Sequence, residues 1–276
     1  MFGGIAVRGK LLVLASGGTE GLLRIVEFAS GELRSNIVVP SVSGGRVEAG
    51  GLCLDEDGSL LLADGAACQI RRFSAFGSEL AAIGLPPEKS QPRDRRGLPA
   101  QARGLAMDSH GRLWVSSGDR PRVHGLQVFS PKGQFLQSIP AFGARDRLYG
   151  PGYAVRIFGD RVWLADTGNQ CLQQFRDDGS FFGYYELEKR CGAARQPIDL
   201  APYAGGLAVL FLEPEPRVFA LDREMERAEP LVLGGLQLPT GLANGPDGEL
   251  LIADREGTRL RMFAQGECRE IRLPLD

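Results

Sequence analysis

Hydrophobic and polar positions follow each other most regularly in residues 239–263, PTGLANGPDGELLIADREGTRLRMF. Three apolar segments, GLAN, LLIAD and RLRMF, are separated by turn-forming segments, and RLRMF has the two-residue period of a β-strand. The Asp-Gly step between the first two favours a tight hairpin. The pattern predicts three short strands, followed by a fourth at residues 269–273. One sheet of this size cannot bury both of its faces, so it must pack against other sheets.

The same unit recurs along the whole chain. Its first segment begins near residues 2, 49, 102, 151, 197 and 239. Its second segment reads LLVLAS, LLLADG, LWVSSG, VWLADT, LAVLFL and LLIADR, and its third reads LRIVEF, QIRRF, GLQVF, CLQQF, RVFAL and RLRMF. A period of roughly 40 to 50 residues, with four strands predicted in each unit, is typical of β-propeller blades.

We therefore predict an all-β fold, a six-bladed β-propeller of four-stranded antiparallel blades that forms a single domain over residues 1–276. The predicted blades cover about residues 1–48, 49–101, 102–149, 150–195, 196–237 and 238–276. The chain starts with an innermost strand and ends with an outermost one. We therefore expect the first and sixth blades to be complete in themselves and to meet by face packing.

The second strands carry a motif in which an apolar segment ends in Ala-Asp and a Phe follows some residues later. Residues 162–175, VWLADTGNQCLQQF, show it best, and Ala63-Asp64 and Ala253-Asp254 repeat it. Ala15-Ser16, Ser116-Ser117 and residues 210–216 depart from it. The pattern resembles the NHL repeat of NHL- and TolB-type propellers over nearly the whole chain. Such propellers include protein-binding, RNA-binding, sensor and enzymatic members, so the resemblance implies a fold and not a single function.

The repeated acids have a structural interpretation. Asp64, Asp166 and Asp254 occupy the same place in three repeats, where an Asp at a strand end can accept hydrogen bonds from backbone N–H groups of the next turn. We expect the same role for the acids of the short turns, which are Asp55, Asp108 and Asp247.

Composition and charge indicate the cellular compartment in which the protein is expected. The net charge is −2, and the five cysteines form no C-x-x-C pair, so we expect free thiols in a reducing compartment. No apolar segment approaches the roughly 18 residues that a membrane span needs, and residues 1–10 do not resemble a signal peptide. With Met1 as the native start, these features predict a cytoplasmic protein that does not insert into membranes.

Propeller geometry sorts the loops into two faces. The blade-to-blade connections and the loops between second and third strands share one face, here called the long-loop face, and the other turns form the short-turn face. On the long-loop face, residues 85–103, 117–124 and 141–150 contain more basic than acidic side chains. They predict a basic patch for an acidic partner or an anionic ligand; a merely solvated surface is the alternative. The candidates are Arg93, Arg95, Arg96, Arg103, Arg120, Arg122, His124, Arg145, Arg147 and Tyr149.

Four side chains are unusual at the start of the inner strands, where other repeats carry mostly glycine. They are Arg103, Tyr153, Asp199 and Thr240, and we expect them near the mouth of the central channel. Arg103 and Asp199 could form a buried ion pair that closes the channel, with a catalytic pair as the alternative.

An enzymatic function is the first alternative to binding. Gluconolactonase-, senescence-marker-, paraoxonase- and strictosidine-synthase-like propellers resemble this architecture, and their metal-dependent members hold a divalent cation with Glu, Asn and Asp on inner strands. Here only Asp199 and Asn244 could serve, and no Glu completes the set. The histidines are His110 and His124, too few for the zinc site of amidating-lyase-like members. We expect no catalytic residue, no metal and no cofactor.

The sequence thus favours a protein- or ligand-binding scaffold that acts through its long-loop face around the central channel. The alternatives are a lactonase- or lyase-like enzyme or small-molecule sensor at the channel mouth and, after it, an RNA-binding propeller. RNA binding would need stacking aromatic side chains, and few lie near the basic stretches. We therefore expect a protein partner or an anionic ligand and not a nucleic acid. Glu213 and Glu215, beside Pro214 and Pro216, could add an acidic contact.

Overall fold

The computed structural model describes residues 4–42, 44–83, 102–117, 126–139, 154–254, 259–271 and 273. These residues form six antiparallel sheets that follow one another along the chain. The fold is all-β, a six-bladed β-propeller, as the sequence repeat predicts. Nowhere in the described ranges is a helix long and apolar enough to cross a membrane.

The strands of each blade follow in chain order. Blade one contains β1 (Ile5–Arg8), β2 (Leu11–Ser16), β3 (Gly21–Glu27) and β4 (Leu33–Val39). Blade two contains β5 (Ala49–Leu54), β6 (Leu60–Asp64) and β7 (Gln69–Phe73). Blade three contains β8 (Ala102–Met107), β9 (Leu113–Ser117), β10 (Leu126–Phe129) and β11 (Phe135–Ile139).

Blade four contains β12 (Val155–Phe158), β13 (Arg161–Asp166), β14 (Cys171–Arg176) and β15 (Phe181–Glu186), and the short helix α1 (Glu188–Cys191) follows it. Blade five contains β16 (Arg195–Tyr203), β17 (Gly206–Glu213), β18 (Arg217–Leu221) and β19 (Ala228–Pro230). Blade six contains β20 (Gly241–Asn244), β21 (Leu250–Asp254), β22 (Arg259–Ala264) and β23 (Glu267–Ile271). In blade two, isolated bridges from Glu79 to Phe73 and from Ile83 to Ile70 stand at the place of the fourth strand.

The second strand of each blade is apolar on both sides because it lies between two neighbouring blades. All residues of β6 and of β21 are buried, whereas the outermost strands β11 and β15 begin with exposed side chains. The apolar clusters accordingly join pairs of blades; one of them unites β12–β14 of blade four with β16–β18 of blade five. The core is therefore a ring of interfaces between sheets.

The ring closes by face packing, as expected from the order of the strands. β1 pairs with β2 inside the first sheet, and the sixth sheet consists of β20 to β23. Leu12 and Leu14 of blade one share an apolar cluster with Leu251 and Met262 of blade six. Closure thus depends on apolar contact between two complete sheets.

A glycine in the last turn of three blades lets that turn approach the blade before it. Gly77, Gly133 and Gly179 have φ of 90°, 78° and 84°. A Cβ at Gly179 would lie 2.7 Å from Cδ1 of Ile139, and at Gly133 it would lie 2.9 Å from Cγ1 of Ile83. These turns therefore require glycine for backbone conformation and for space.

We expect Gly179→Ala to destabilise the protein more than Gly205→Ala. Gly205 has φ of 83°, close to that of Gly179, but a Cβ there would meet nothing within 4 Å. Both variants incur about 1 kcal/mol for the left-handed conformation, and overlap with Ile139 adds about 1–3 kcal/mol at Gly179. Urea unfolding of the two variants measures the difference. Adding Ile139→Val, which removes Cδ1, should recover part of it; equal losses in the two variants would contradict the packing argument.

Candidate functional site

The structure describes three of the predicted site residues. Arg103 lies half-buried on β8, Asp199 is buried on β16, and Thr240 is half-buried just before β20, where its N–H donates to the carbonyl of Ala253 at 2.9 Å. The remaining predicted residues lie outside the described ranges; they are Arg93, Arg95, Arg96, Arg120, Arg122, His124, Arg145, Arg147, Tyr149 and Tyr153. The basic patch thus stays a prediction.

Asp199 forms its ion pair with Arg156 and not with Arg103, so the pairing suggested by the sequence is wrong. Nη2 of Arg156 donates to Oδ2 of Asp199 at 2.6 Å, and Nε donates to the carbonyl of Leu200 at 3.2 Å. Nη2 also donates to the carbonyl of Leu242, at 3.3 Å. The guanidinium of blade four therefore ties the inner strands of blades five and six across the channel.

Sequence reasoning missed Arg156 because the first segment of the fourth repeat was aligned one residue too early. In the structure Arg156 pairs with Trp163, three residues before the end of the second strand, and Ala106 pairs with Trp114 at the same place in blade three. The position holds a small side chain in the other five blades: Ala6, Cys53, Ala106, Ala201 and Ala243. Alignment on the Ala-Asp ending of the second strand would have shown Arg156 as the exception.

Asp199 likewise occupies a position that holds glycine in four other blades and Ala154 in blade four. At the matching Gly51, a Cβ would lie 2.4 Å from the backbone nitrogen of Leu105 in the next blade. The Asp199 side chain also points toward the backbone of the next blade, because its Oδ2 accepts a hydrogen bond from the N–H of Leu242 in blade six at 2.8 Å. Its Oδ1 accepts from the N–H of Leu200, also at 2.8 Å. Hydrogen bonds thus replace the close backbone contact.

Burial raises the pKa of Asp199, while Arg156 and the two backbone amides oppose that change. Burial also raises the pKa of the nearby Cys53 thiol to about 12; Asp55 adds to the rise and Arg156 opposes it. Cys53 is therefore a neutral thiol at ordinary pH and a poor nucleophile. All five cysteines of the chain are free, as the sequence predicted.

A cavity of about 370 Å³ occupies the central channel, and residues of all six inner strands line it. Arg8, Leu54, Met107 and Asn244 end their strands at its edge. Because inner strands end at the turns to the second strands, the cavity lies in the half of the channel nearer the short-turn face. It is thus on the side opposite to the mouth where the sequence analysis placed a site.

Asp64 and Asp166 have the structural role that their recurrence predicted. Oδ1 of Asp64 accepts from the N–H groups of Glu48 and Ala67, both at 3.2 Å, and thereby fixes the connection before blade two and the turn after β6. Oδ1 of Asp166 accepts from the N–H of Asn169 at 3.0 Å. Oδ1 of Asp254 instead accepts from the N–H groups of residues 237 and 238, in the connection before blade six, at 3.1 and 2.8 Å. The turn after Asp254, residues 255–258, lies outside the described ranges, so the predicted role of Asp254 stays a prediction.

Two of the three acids predicted to stabilise the short turns accept a hydrogen bond from a backbone N–H of their own turn. Asp55 accepts from the N–H of Asp57 at 3.0 Å, and Asp108 accepts from that of His110 at the same distance. In blade six the acceptor is Glu249, whose Oε2 receives the N–H of Asp247 at 3.0 Å. The prediction for Asp247 is therefore wrong, because the acid two residues later takes its role.

Asp199, one of the two oxygen ligands that the sequence offered for a metal, already accepts hydrogen bonds from Arg156 and two amides. The other, Asn244, is oriented by its NH₂ group, which donates to the carbonyl of Pro202. Among the described residues, no group of three or more His, Cys, Asp or Glu side chains could hold a metal ion. His110 lies exposed in its turn.

Comparison with known proteins identifies the fold but not a family. No protein-family model matches the chain, and no curated protein matches it. Among solved structures, a streptogramin B lyase is similar at 15% identity and a TM-score of 0.64, with 99% of this chain and 83% of that chain covered. Virginiamycin B lyase from Staphylococcus aureus is similar at 14% identity and a TM-score of 0.65, with 99% and 84% covered.

A chain of the nidogen/laminin complex is similar at 15% identity and a TM-score of 0.68, with 96% of this chain and 94% of that chain covered. At such low identity these likenesses show a shared propeller fold and nothing about function. The same scaffold thus serves lyases and a protein complex.

Proposed function

We propose that the chain is an NHL-like propeller that works as a binding scaffold, with its partner surface on the long-loop face. The observation that carries this proposal is how the inner polar side chains are used. Arg156, Asp199 and Asp64 all bind across blades or to connections between blades. They stabilise the contacts between blades and are not available to bind a protein partner. On a rigid scaffold the loops usually carry the binding residues.

Charge supports an acidic partner. The protein has a net charge of −2, yet residues 85–103, 117–124 and 141–150 are rich in Arg and Lys. Basic clusters on a rigid support accelerate association with acidic surfaces and select against basic ones. The acidic loop of blade five is a weaker candidate contact, because Glu213 accepts from Gln196 at 2.5 Å and Glu215 pairs with Arg217.

The similar structures are compatible with this function. One is part of a complex between nidogen and laminin, so a propeller of this shape does take part in protein assembly there. The lyases keep catalysis as the alternative. The engagement of Asp199 by Arg156 and two amides favours binding over catalysis, because a reacting carboxylate needs a free oxygen.

The test compares charge reversal on the two faces. The loop variant carries Arg93→Glu, Arg95→Glu and Arg96→Glu, and the control carries Lys10→Glu, Lys132→Glu and Arg223→Glu in exposed short turns. A partner is captured on the immobilised wild type, identified by mass spectrometry, purified and titrated against each protein at low and high salt. We expect the loop variant to bind at least about tenfold more weakly, with the control unchanged and wild-type affinity falling with salt. Wild-type affinity in the loop variant, or an equal loss in the control, would reject the proposal.

A further inference from the structure

The channel cavity has the size and walls of a small-molecule site. Its volume of about 370 Å³ lies in the lower part of the range of roughly 300–1,000 Å³ typical of ligand pockets. Each blade contributes to its walls. The half-buried apolar side chains among its lining residues are Val7, Cys53, Leu54, Met107, Ile157 and Ala243. An apolar body of modest size would therefore be partly desolvated by the inner strands.

The charged groups of the cavity favour an anion. The Arg156 side chain is 18% exposed, and Asp199, which partly neutralises it, is 5% exposed and points its oxygens at Arg156 and backbone amides. Among the described residues, Arg156 uses Nε, both Nη2 protons and one Nη1 proton, so that one Nη1 N–H has no protein acceptor. Arg8, exposed at the edge, adds a second positive charge.

We propose that this cavity binds a small anionic amphiphile, namely a medium-chain carboxylate, with its carboxylate against the remaining N–H of Arg156. The alkyl chain then lies toward the short-turn face, between Leu54, Met107 and Ile157, which line the outer part of the cavity. Arg8 attracts the anion to the entrance. The inference goes beyond the proposed function, because this site lies toward the short-turn face, whereas the loop patch is predicted on the long-loop face, and either can fail alone.

Methionine methyl groups offer a direct test in the unmodified protein. Met107 lines the cavity, whereas Met225 and Met262 are buried in apolar clusters between blades. Decanoate is titrated into protein labelled with ¹³C at the Met methyl groups, and the Met107→Leu variant assigns the signal. We expect a saturable shift of Met107 with a dissociation constant on the order of 0.1 mM, as befits so small a ligand, while Met225 and Met262 stay in place.

Two comparisons decide between specific binding and general adhesion. Decyltrimethylammonium has the same chain and the opposite charge, and it should shift the Met107 methyl signal at least about tenfold less than decanoate at equal concentration. The Ala243→Leu variant should bind decanoate more weakly, because the larger side chain narrows the cavity. Phe76→Ser removes a side chain that is 95% exposed and should leave binding unchanged. No saturable shift of Met107, equal shifts of all three methyl groups, or an equal response to the cation would overturn the inference.

Discussion

Replacement of Arg156 by Met is expected to lower the free energy of unfolding by about 3–5 kcal/mol, because it leaves the buried carboxylate of Asp199 without its cation. Met keeps an unbranched apolar stem in the channel, so the loss reports on charge and hydrogen bonds more than on volume. Arg156 also donates to the carbonyls of Leu200 and Leu242, and these contacts disappear together. Urea denaturation followed by tryptophan fluorescence measures the effect.

The loss of stability in Arg156→Met should depend on pH, and the direction of that dependence shows whether the buried carboxyl causes the loss. Burial raises the pKa of Asp199, and removal of Arg156 takes away the strongest opposing influence. A carboxyl whose pKa is higher in the folded than in the unfolded state binds its proton more tightly on folding, so stability falls as pH rises between the two values. The loss in Arg156→Met should therefore be larger at pH 8 than at pH 5. Adding Asp199→Asn should recover part of it at pH 8; a loss that is the same at both pH values would assign the effect to packing.

Fold prediction succeeded here because it depends on many weak signals that agree. The Ala-Asp endings, the turn glycines and the alternating strands each occur several times, and an error in one repeat does not change the period. The structural role of Asp64 and Asp166 followed from the same recurrence. Repetition thus allowed strand order and closure to be predicted without a template.

The ion pair in the channel could not be predicted in the same way. Arg156 and Asp199 are exceptions to the repeat, and each occurs in one blade. Identification of their partners requires the register of each inner strand, and a shift of one residue moves a side chain to the other face of its sheet. The first segment of the fourth repeat reads PGYAV and lacks the Gly-Ile or Gly-Leu step that marks the register in four other repeats. Where a blade departs from the repeat, the sequence identifies the exceptional residue, but only the structure shows which residues it contacts.

Arg71 is the second side chain whose loss should be severe. It is 1% exposed, its Nε and Nη2 bind the Glu79 carboxylate at 2.8 Å each, and its Nη1 donates to the carbonyl of Pro40 at 2.5 Å and to Asp64 at 3.3 Å. We expect Arg71→Met to cost about 3–5 kcal/mol, since Asp64 is fully buried. Arg217 is the control: its side chain is 50% exposed and pairs with Glu215, whose side chain is 62% exposed, so Arg217→Met should cost about 1 kcal/mol or less.

The other blades indicate which replacement at position 71 should be tolerated best. Gln173 occupies the equivalent place in blade four, where its Nε2 donates to Oδ2 of Asp166 at 2.7 Å. Gln at position 71 could donate to Asp64 in the same way, and Glu79 is exposed enough to regain water. We therefore expect Arg71→Gln to be clearly more stable than Arg71→Met in matched urea titrations. Equal stabilities would mean that Asp64 needs a positive charge and not merely a donor, and that its blade differs in kind from blade four.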